Sequence, residues 1–443
     1  PIKIAPTALI CPKMKVKVIG AGLAGSEAAN YLAGRGVEVV LYDIKPKSFT
    51  PAHSDKNFCE LVCSNSLKGK DPYSNACGLL KEEMRILGSL TMEAAEATSV
   101  PAGGALAVDR DDFASFVTEK IKQNKNISVV CKEVEKVPED WCIVATGPLT
   151  TDKLSSGISS ICGGQLHFYD ASAPIISRES IDFDRAFFGD RYGKGGDDYV
   201  NCPLTKEEYE TFVKELLAAE KAVLHDFEKR EIFEGCMPLE VMASRGAESL
   251  RYANFKPIGL KDKDGNRFYA VLQLRKENAD GTAYNLVGCQ TNLKWGEQKR
   301  VFSLIPALKN AEFLRYGVMH RNTFINSPTC LNADFSLKAN PQVFFAGQIT
   351  GVEGYVESAA SGLLAAVHMY EKLQGRAPKI PDNTTVLGAL SAHISGSTEN
   401  FQPMNANFGI LKPAEKLIKD KKQRYAYLAR RAIDDIKAYK ENL

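Results

Sequence analysis

The run Val18-Ile19-Gly20-Ala21-Gly22-Leu23-Ala24-Gly25 lies between a short apolar strand pattern and a helix pattern of small residues. This G-x-G-x-x-G spacing constrains the fold strongly, because each glycine has a steric task. The first permits a tight turn, the second lets backbone approach a pyrophosphate, and the third lets helix pack on strand. A pyrophosphate then sits at the helix N-terminus, where unpaired amides and the positive dipole end favour anions. Val37 to Leu41 reads as a second strand, and Asp43 stands 18 positions past Gly25. A carboxylate about 20 positions on is placed to accept hydrogen bonds from a ribose hydroxyl. The expected class is α/β, with a dinucleotide-binding (Rossmann-like) domain. Its expected cofactor contacts are Gly20, Ala21, Gly22, Leu23, Ala24, Gly25 and Asp43.

The chain has 443 residues and a formal net charge of +2, so any nucleic-acid site must be a local basic patch. No apolar run reaches the ~18 residues needed to span a bilayer. Pro1 to Lys13 lacks the charged-then-apolar order of a secretory signal. These residues read as an N-terminal extension before Met14, at the edge of the first strand. Eleven cysteines are scattered along the chain with no C-x-x-C pair. That pattern points to reduced thiols in the cytoplasm and to no metal site.

Residues 14–170 alternate strand and helix patterns. Helices are expected over Ala76–Leu87 and Asp111–Gln123, and strands over Ile127–Val130 and Cys142–Ala145. The last of these delivers Thr146 and Gly147 to the cofactor edge of a parallel sheet. From 171 to 318 the patterning is mixed and reads as an inserted α+β domain. It has a long helix pattern from Lys206 to Glu228 and a hairpin signal at Asp262-Lys263-Asp264-Gly265-Asn266 between two strand-like runs. Residues 319–443 return to the first domain. Val343 to Ala346 is a buried strand pattern followed by Gly347-Gln348-Ile349-Thr350-Gly351 and a helix pattern over Glu357–Tyr370. Such a return fits a flavin protein whose first and last segments share one nucleotide domain. Gly347, Gln348 and Gly351 are its further expected contacts.

Two thiols stand out. Cys63 follows the second strand in a polar, turn-like setting, and Cys236 sits between Gly235 and Pro238 at an expected bend. Either is a candidate nucleophile or a small buried hydrophobe. Tyr355 reads as a stacking partner for a ring or as a core aromatic. His320 and Arg321 could meet an anion or serve structure alone. Asn405 and Asn407 could hold a turn against a ligand or cap their own turn. Residues 411–443 carry a net charge of +5, expected as a basic helical face with Lys412, Lys416, Lys419, Lys422, Arg430 and Arg431 as candidate RNA contacts.

Longer strings carry a resemblance. They include E-L-V-C-S-N-S-L at 60–67, V-P-A-G-G-A-L-A-V-D-R at 100–110, F-E-G-C-M-P at 233–238, R-Y-G-V-M-H-R-N-T-F-I-N-S-P at 315–328, T-G-V-E-G-Y-V-E-S-A-A-S-G at 350–362 and F-Q-P-M-N-A-N-F-G at 401–409. Over about residues 14–443 the sequence resembles the TrmFO family of folate- and FAD-dependent tRNA (uracil-5-)-methyltransferases. The resemblance implies FAD as cofactor, NADH or NADPH as reductant, and 5,10-methylenetetrahydrofolate as carbon donor. It implies tRNA as partner, with 5-methyluridine made at position 54 of the T-loop and no obligate protein partner. It also implies catalytic roles for Cys63 and Cys236, with Cys236 adding to uracil C6 and Cys63 handling a proton. Flavin contacts at Gly347, Gln348, Gly351 and Tyr355 are further implications. The rivals are the same chemistry on 23S rRNA, the wobble-uridine chemistry of the glucose-inhibited division protein A group, a flavin oxidoreductase for a small metabolite, and a non-catalytic RNA-binding role.

Overall fold

The computed structural model describes residues 15–50, 52–164, 166–193, 196–222, 237–262, 265–397, 399 and 401–443. Five short strands build a parallel sheet: β1 (Lys15–Ile19), β2 (Glu38–Asp43), β3 (Ile127–Cys131), β4 (Cys142–Val144) and β5 (Val343–Phe345). Their order is β5-β4-β1-β2-β3, so a strand from the last quarter of the chain pairs beside one from its first third. Val16, Val18, Ile143, Val144, Phe344 and Phe345 are fully buried. Strands covered on both faces by helices require such runs.

The glycine run turns β1 into helix α1 (Leu23–Gly34). Gly20 has φ +98°, a conformation natural to glycine. Further helices are α2 (Ala76–Leu87), α3 (Asp152–Cys162), α4 (Tyr355–Leu373) and α5 (Lys421–Glu441). Helix α4 crosses α1 very closely. A Cβ on Gly362 would lie 2.2 Å from the Ala24 carbonyl oxygen. Two buried carboxylates cap helices from a distance. Glu27 accepts from the Leu90 and Thr91 amides at the start of helix Leu90–Ala97, and Glu83 from the Val386 and Leu387 amides at the start of helix Val386–Ser395. These bonds satisfy amides that a helix cannot satisfy internally.

A second, six-stranded sheet lies between residues 175 and 315. It follows the order Phe187–Phe188, Tyr199–Leu204, Ala270–Lys276, Ala283–Leu286, Ile175–Ser177, Phe313–Arg315, with antiparallel pairing throughout. It has its own core, including Tyr209, Phe212, Phe255, Tyr284 and Phe302. An antiparallel ribbon, Leu166–Ala171 with Met319–Phe324, carries the chain out to this sheet and back.

Three expectations need correction. The helix expected over Lys206–Glu228 ends at Ala218. Ala219 turns extended, and Lys221 and Ala222 pair with Leu293 and Asn292 instead. Residues 223–236 lie outside the described set. The run before Asp262 forms no strand but a short helix, Ser249–Tyr252, and irregular chain; Lys263 and Asp264 lie outside the described set. The basic segment is helical only from Lys421, so Lys412, Lys416 and Lys419 precede α5 rather than share its face. Asp420 starts that helix by accepting from the Gln423 amide. Among the described residues no helix is long and apolar enough to cross a membrane.

Candidate active site

A cavity of about 410 Å³ opens at the C-terminal edge of the parallel sheet. Such an edge is where open α/β sheets bind ligands. Gly20, Ala21, Gly22, Leu23 and Ala24 form one wall, and Asp43, Thr146 and Gly147 line it from neighbouring strand ends. Gly347, Gln348 and Tyr355 line it from the start of the last strand–helix unit, and Cys63 from the opposite loop. Twelve of the fourteen described candidate catalytic and cofactor residues therefore meet in one space. Gly25 and Gly351 are not on its surface. A Cβ on Gly25 would sit 1.8 Å from the Gly20 carbonyl oxygen, and one on Gly351 would sit 2.5 Å from the Phe401 ring. Both glycines serve close packing behind the wall.

The residues present fit a dinucleotide cofactor. No side chain caps α1, which leaves its first amides open toward the cavity. A Cβ on Gly22 would meet no heavy atom within 4 Å, so the absence of a side chain there leaves room at the helix start. The Asp43 carboxylate accepts from the Ala21 amide at 2.7 Å and the Lys45 amide at 2.8 Å. A carboxylate has about four acceptor positions, so capacity remains for a ribose hydroxyl. Gln348 donates to Glu353 at 2.6 Å, and the Gly347 amide is taken by Ser361 at 2.7 Å. Among the described residues no group of three or more side chains could hold a metal ion.

The Cys63 loop is held from three directions. The Tyr355 hydroxyl accepts from the Cys63 amide at 2.7 Å and donates toward Cys63 Sγ at 3.4 Å. Burial first, and the neighbouring Cys63 next, push the Tyr355 phenol well above its ordinary value, so it stays a donor. The tyrosine was expected as a stacking ring; its hydroxyl proves to be bound to the cysteine 292 positions away. Arg110 donates to the carbonyls of Leu61 and Val62 and pairs with Glu277 at 2.7 Å. Burial works against the Arg110 charge, but Glu277 outweighs it and raises the pKa. Arg275 reaches Ser64 Oγ at 2.8 Å and Asn65 Oδ1 at 3.0 Å, and Asn65 donates to the Val108 and Lys276 carbonyls. Arg315 completes a group of three guanidinium side chains about this loop, its pKa lowered by burial and then by Arg110. Burial pushes the nearby Cys59 thiol up to about 12.

Sequence reasoning missed Arg110, Arg275, Arg315 and Asn65, although Arg110, Arg315 and Asn65 stand within quoted strings. It also missed Lys68, which lines the cavity and joins Asn405 at 2.8 Å and the buried Glu357 at 3.0 Å. Asn405 thus faces the cavity, whereas Asn407 caps its own turn through the Gly409 amide at 3.0 Å. Cys236 lies outside the described residues, as do the side chains of His320 and Arg321. Lys412, Lys416, Lys419, Lys422 and Arg430 are exposed. Arg431 is not available in the same way: it is half-buried and donates to the carbonyls of Lys412 and Pro413.

The family model described as Glucose inhibited division protein A matches residues 15–377. The methylenetetrahydrofolate–tRNA-(uracil-5-)-methyltransferase TrmFO of Acetivibrio thermocellus is 55% identical over 428 residues, covering 96% of this chain and 98% of the relative. The chain belongs to the TrmFO family. The TrmFO of Staphylococcus carnosus is 54% identical over 432 residues, covering 97% of this chain and 99% of that one. The fold is that of Aquifex aeolicus GidA, which superposes with a TM-score of 0.71 at 16% identity, over 98% of this chain and 74% of that one.

Proposed function

We infer that this TrmFO-family chain methylates C5 of a uridine in tRNA, using methylenetetrahydrofolate as carbon donor, FAD as cofactor and NADH or NADPH as reductant. Near-full-length identity to TrmFO enzymes carries the reading, and the cavity beside Cys63 supports it. The T-loop uridine at position 54 is the proposed target, reached by unstacking it into the pocket. The proposed setting is the cytoplasm, with no obligate protein partner. The same reading assigns 14–170 and 319–443 to the FAD-binding domain and 171–318 to the insertion.

The glycine loop and α1 amides would hold the FAD pyrophosphate, and Asp43 the ribose. Gly347, Gln348 and Tyr355 would border its ring. When bound, FAD supplies the hydride that turns a transferred one-carbon unit into a methyl group. The chain's own task is to activate uracil. A thiolate adds to C6, which makes C5 nucleophilic toward the carbon donor. The C5 proton then leaves to a base, and elimination of the thiol restores the C5–C6 double bond. Cys236 is assigned the addition and Cys63 the proton. Tyr355 and Arg110 hold the Cys63 loop in place. Lys412, Lys416, Lys419, Lys422 and Arg430 are assigned to tRNA phosphates.

The test combines purified protein, unmodified tRNA, methylenetetrahydrofolate and NADH, with the methyl group mapped by mass. A 5-methyluridine at the T-loop, lost in Cys63→Ala and Cys236→Ala and lowered in Tyr355→Phe, is the expected result. A tRNA that gains no methyl group, or full activity without either thiol, would overturn it.

A further inference from the structure

We propose that Cys162 and Cys330 are a dithiol modification site, joined into a disulfide by a small hydroperoxide at the foot of the two-stranded ribbon. Cys162 ends α3 and Cys330 ends the short helix Ser327–Cys330. The two side chains lie on the same cavity wall, close enough for each to shift the other's titration. Both line a second cavity of about 470 Å³, distinct from the one that contains Cys63. The ribbon begins at Leu166, just after Cys162, and ends at Phe324, just before Cys330, and these two ribbon ends pair with one another. The thiols therefore meet where the chain leaves for the second sheet and where it returns.

The site differs from an ordinary buried cysteine contact in two respects. It has an opening: Cys162 and Cys330 are 4% and 7% exposed along a cavity wall, so a molecule the size of hydrogen peroxide can reach them. It is also asymmetric. The Cys330 S–H donates to the Asn326 carbonyl at 3.6 Å, and Cys162 first, then Thr329 and Lys338, favour the Cys330 thiolate. The Cys330 pKa is lowered for those reasons, and that of Cys162 is raised by Cys330 and by burial. Elsewhere burial raises Cys142 and Cys59 to about 12 and Cys202 and Cys289 further. Cys330, the more exposed of the two along the cavity wall and the one whose pKa is lowered, is the thiol that reacts first, and Cys162 the one that resolves it.

The step balances in two stages. The Cys330 thiolate attacks the terminal peroxide oxygen, the O–O bond breaks, and with one proton the products are Cys330 sulfenic acid and water. Cys162 sulfur then displaces the hydroxyl from Cys330 sulfur, forming the S–S bond and a second water. Together the two thiols lose two electrons and two protons to one hydrogen peroxide. The product is a covalent ring from 162 to 330 that encloses the whole second sheet. Closing so long a loop restricts the unfolded chain and raises the unfolding midpoint.

The unmodified full-length protein, loaded with FAD, carries the test. It is treated with hydrogen peroxide, alkylated, and mapped by mass without reduction. The expected product is one intramolecular peptide pair linking Cys162 to Cys330, reversed by dithiothreitol, with an unfolding midpoint raised by about 5 °C. In Cys162→Ser the link is lost, and Cys330 instead yields a dimedone-trapped sulfenic acid. The proposal is overturned if Cys330 stays fully alkylatable at peroxide levels that oxidise Cys63, or if either cysteine pairs elsewhere in the unmodified chain.

Discussion

Replacing Gly22 by alanine separates cofactor binding from folding. Gly22 has φ −75° and ψ −171°, which alanine adopts without strain. The added Cβ meets nothing within 4 Å, yet Gly22 lines the cavity at the start of α1. The cofactor-free fold therefore loses nothing and gains ~0.4–1 kcal/mol from a less flexible unfolded chain. The same methyl group occupies the space a pyrophosphate needs to reach the amides. Crowding of this size costs about 1–3 kcal/mol, or roughly 5- to 150-fold in dissociation constant. At Gly25 the geometry is reversed. Its Cβ would lie 1.8 Å from the Gly20 carbonyl oxygen, and no rotamer can move a Cβ. Gly25→Ala forces α1 away from the turn and costs ~3 kcal/mol or more of stability. The assay pairs thermal melts of flavin-free protein with titration of FAD by fluorescence quenching. A Gly22→Ala protein that melts as low as Gly25→Ala, or binds FAD as tightly as the parent, refutes the reasoning.

Removing Arg110 alone, as Arg110→Leu, leaves the Glu277 carboxylate buried and unpaired and is expected to cost ~3–5 kcal/mol in chemical denaturation; adding Glu277→Leu should recover much of it. Glu83 makes stability pH-dependent. Burial raises it from the ordinary 4.5 to about 8, against the two amides that favour its charge. The folded chain keeps a proton that the unfolded chain has lost between those values. Stability is therefore greatest below that window and falls as pH rises through it, by up to about 1.4 kcal/mol per pH unit. Denaturation midpoints against pH should flatten in Glu83→Gln, and an unchanged slope excludes this source. Replacing Lys412, Lys416, Lys419 and Lys422 together by alanine should lower the log–log salt slope of tRNA binding by about 3; an unaltered slope places the phosphates elsewhere.

The parallel sheet was legible because its determinants are local. Glycines at 20, 22 and 25, an acidic residue at 43 and apolar runs of strand length each act within a few residues. The expected helix Ala76–Leu87 is observed with those bounds, since Asn75 caps its start and Gly88 adopts φ +81° at its end. Where the pattern misled, a distant partner won. The sequence from Lys206 onward keeps helical spacing past Ala218, but the backbone at Lys221 and Ala222 pairs with Leu293 and Asn292. The basic terminal segment likewise has helical spacing from Lys412, yet Pro413 and the bonds from Arg431 to the Lys412 and Pro413 carbonyls keep its first part out of α5.

The site divides along the same physical line. Backbone features announce themselves locally, so the glycine walls of the cavity could be read in order along the chain. The surroundings of Cys63 could not, because its tyrosine comes from α4 and Arg275 from a strand of the second sheet. The Cys63 loop is thus where the two sheets are tied together. Arg110 spans the same junction, holding the Leu61 and Val62 carbonyls on one side and Glu277 on the other. A thiol set at such a junction has its position fixed by contacts that neither sheet supplies alone. Its reactivity therefore depends on the correct seating of the second sheet against the first, and substitutions at Asn65 or Arg275 should impair chemistry even though neither side chain lines the cavity.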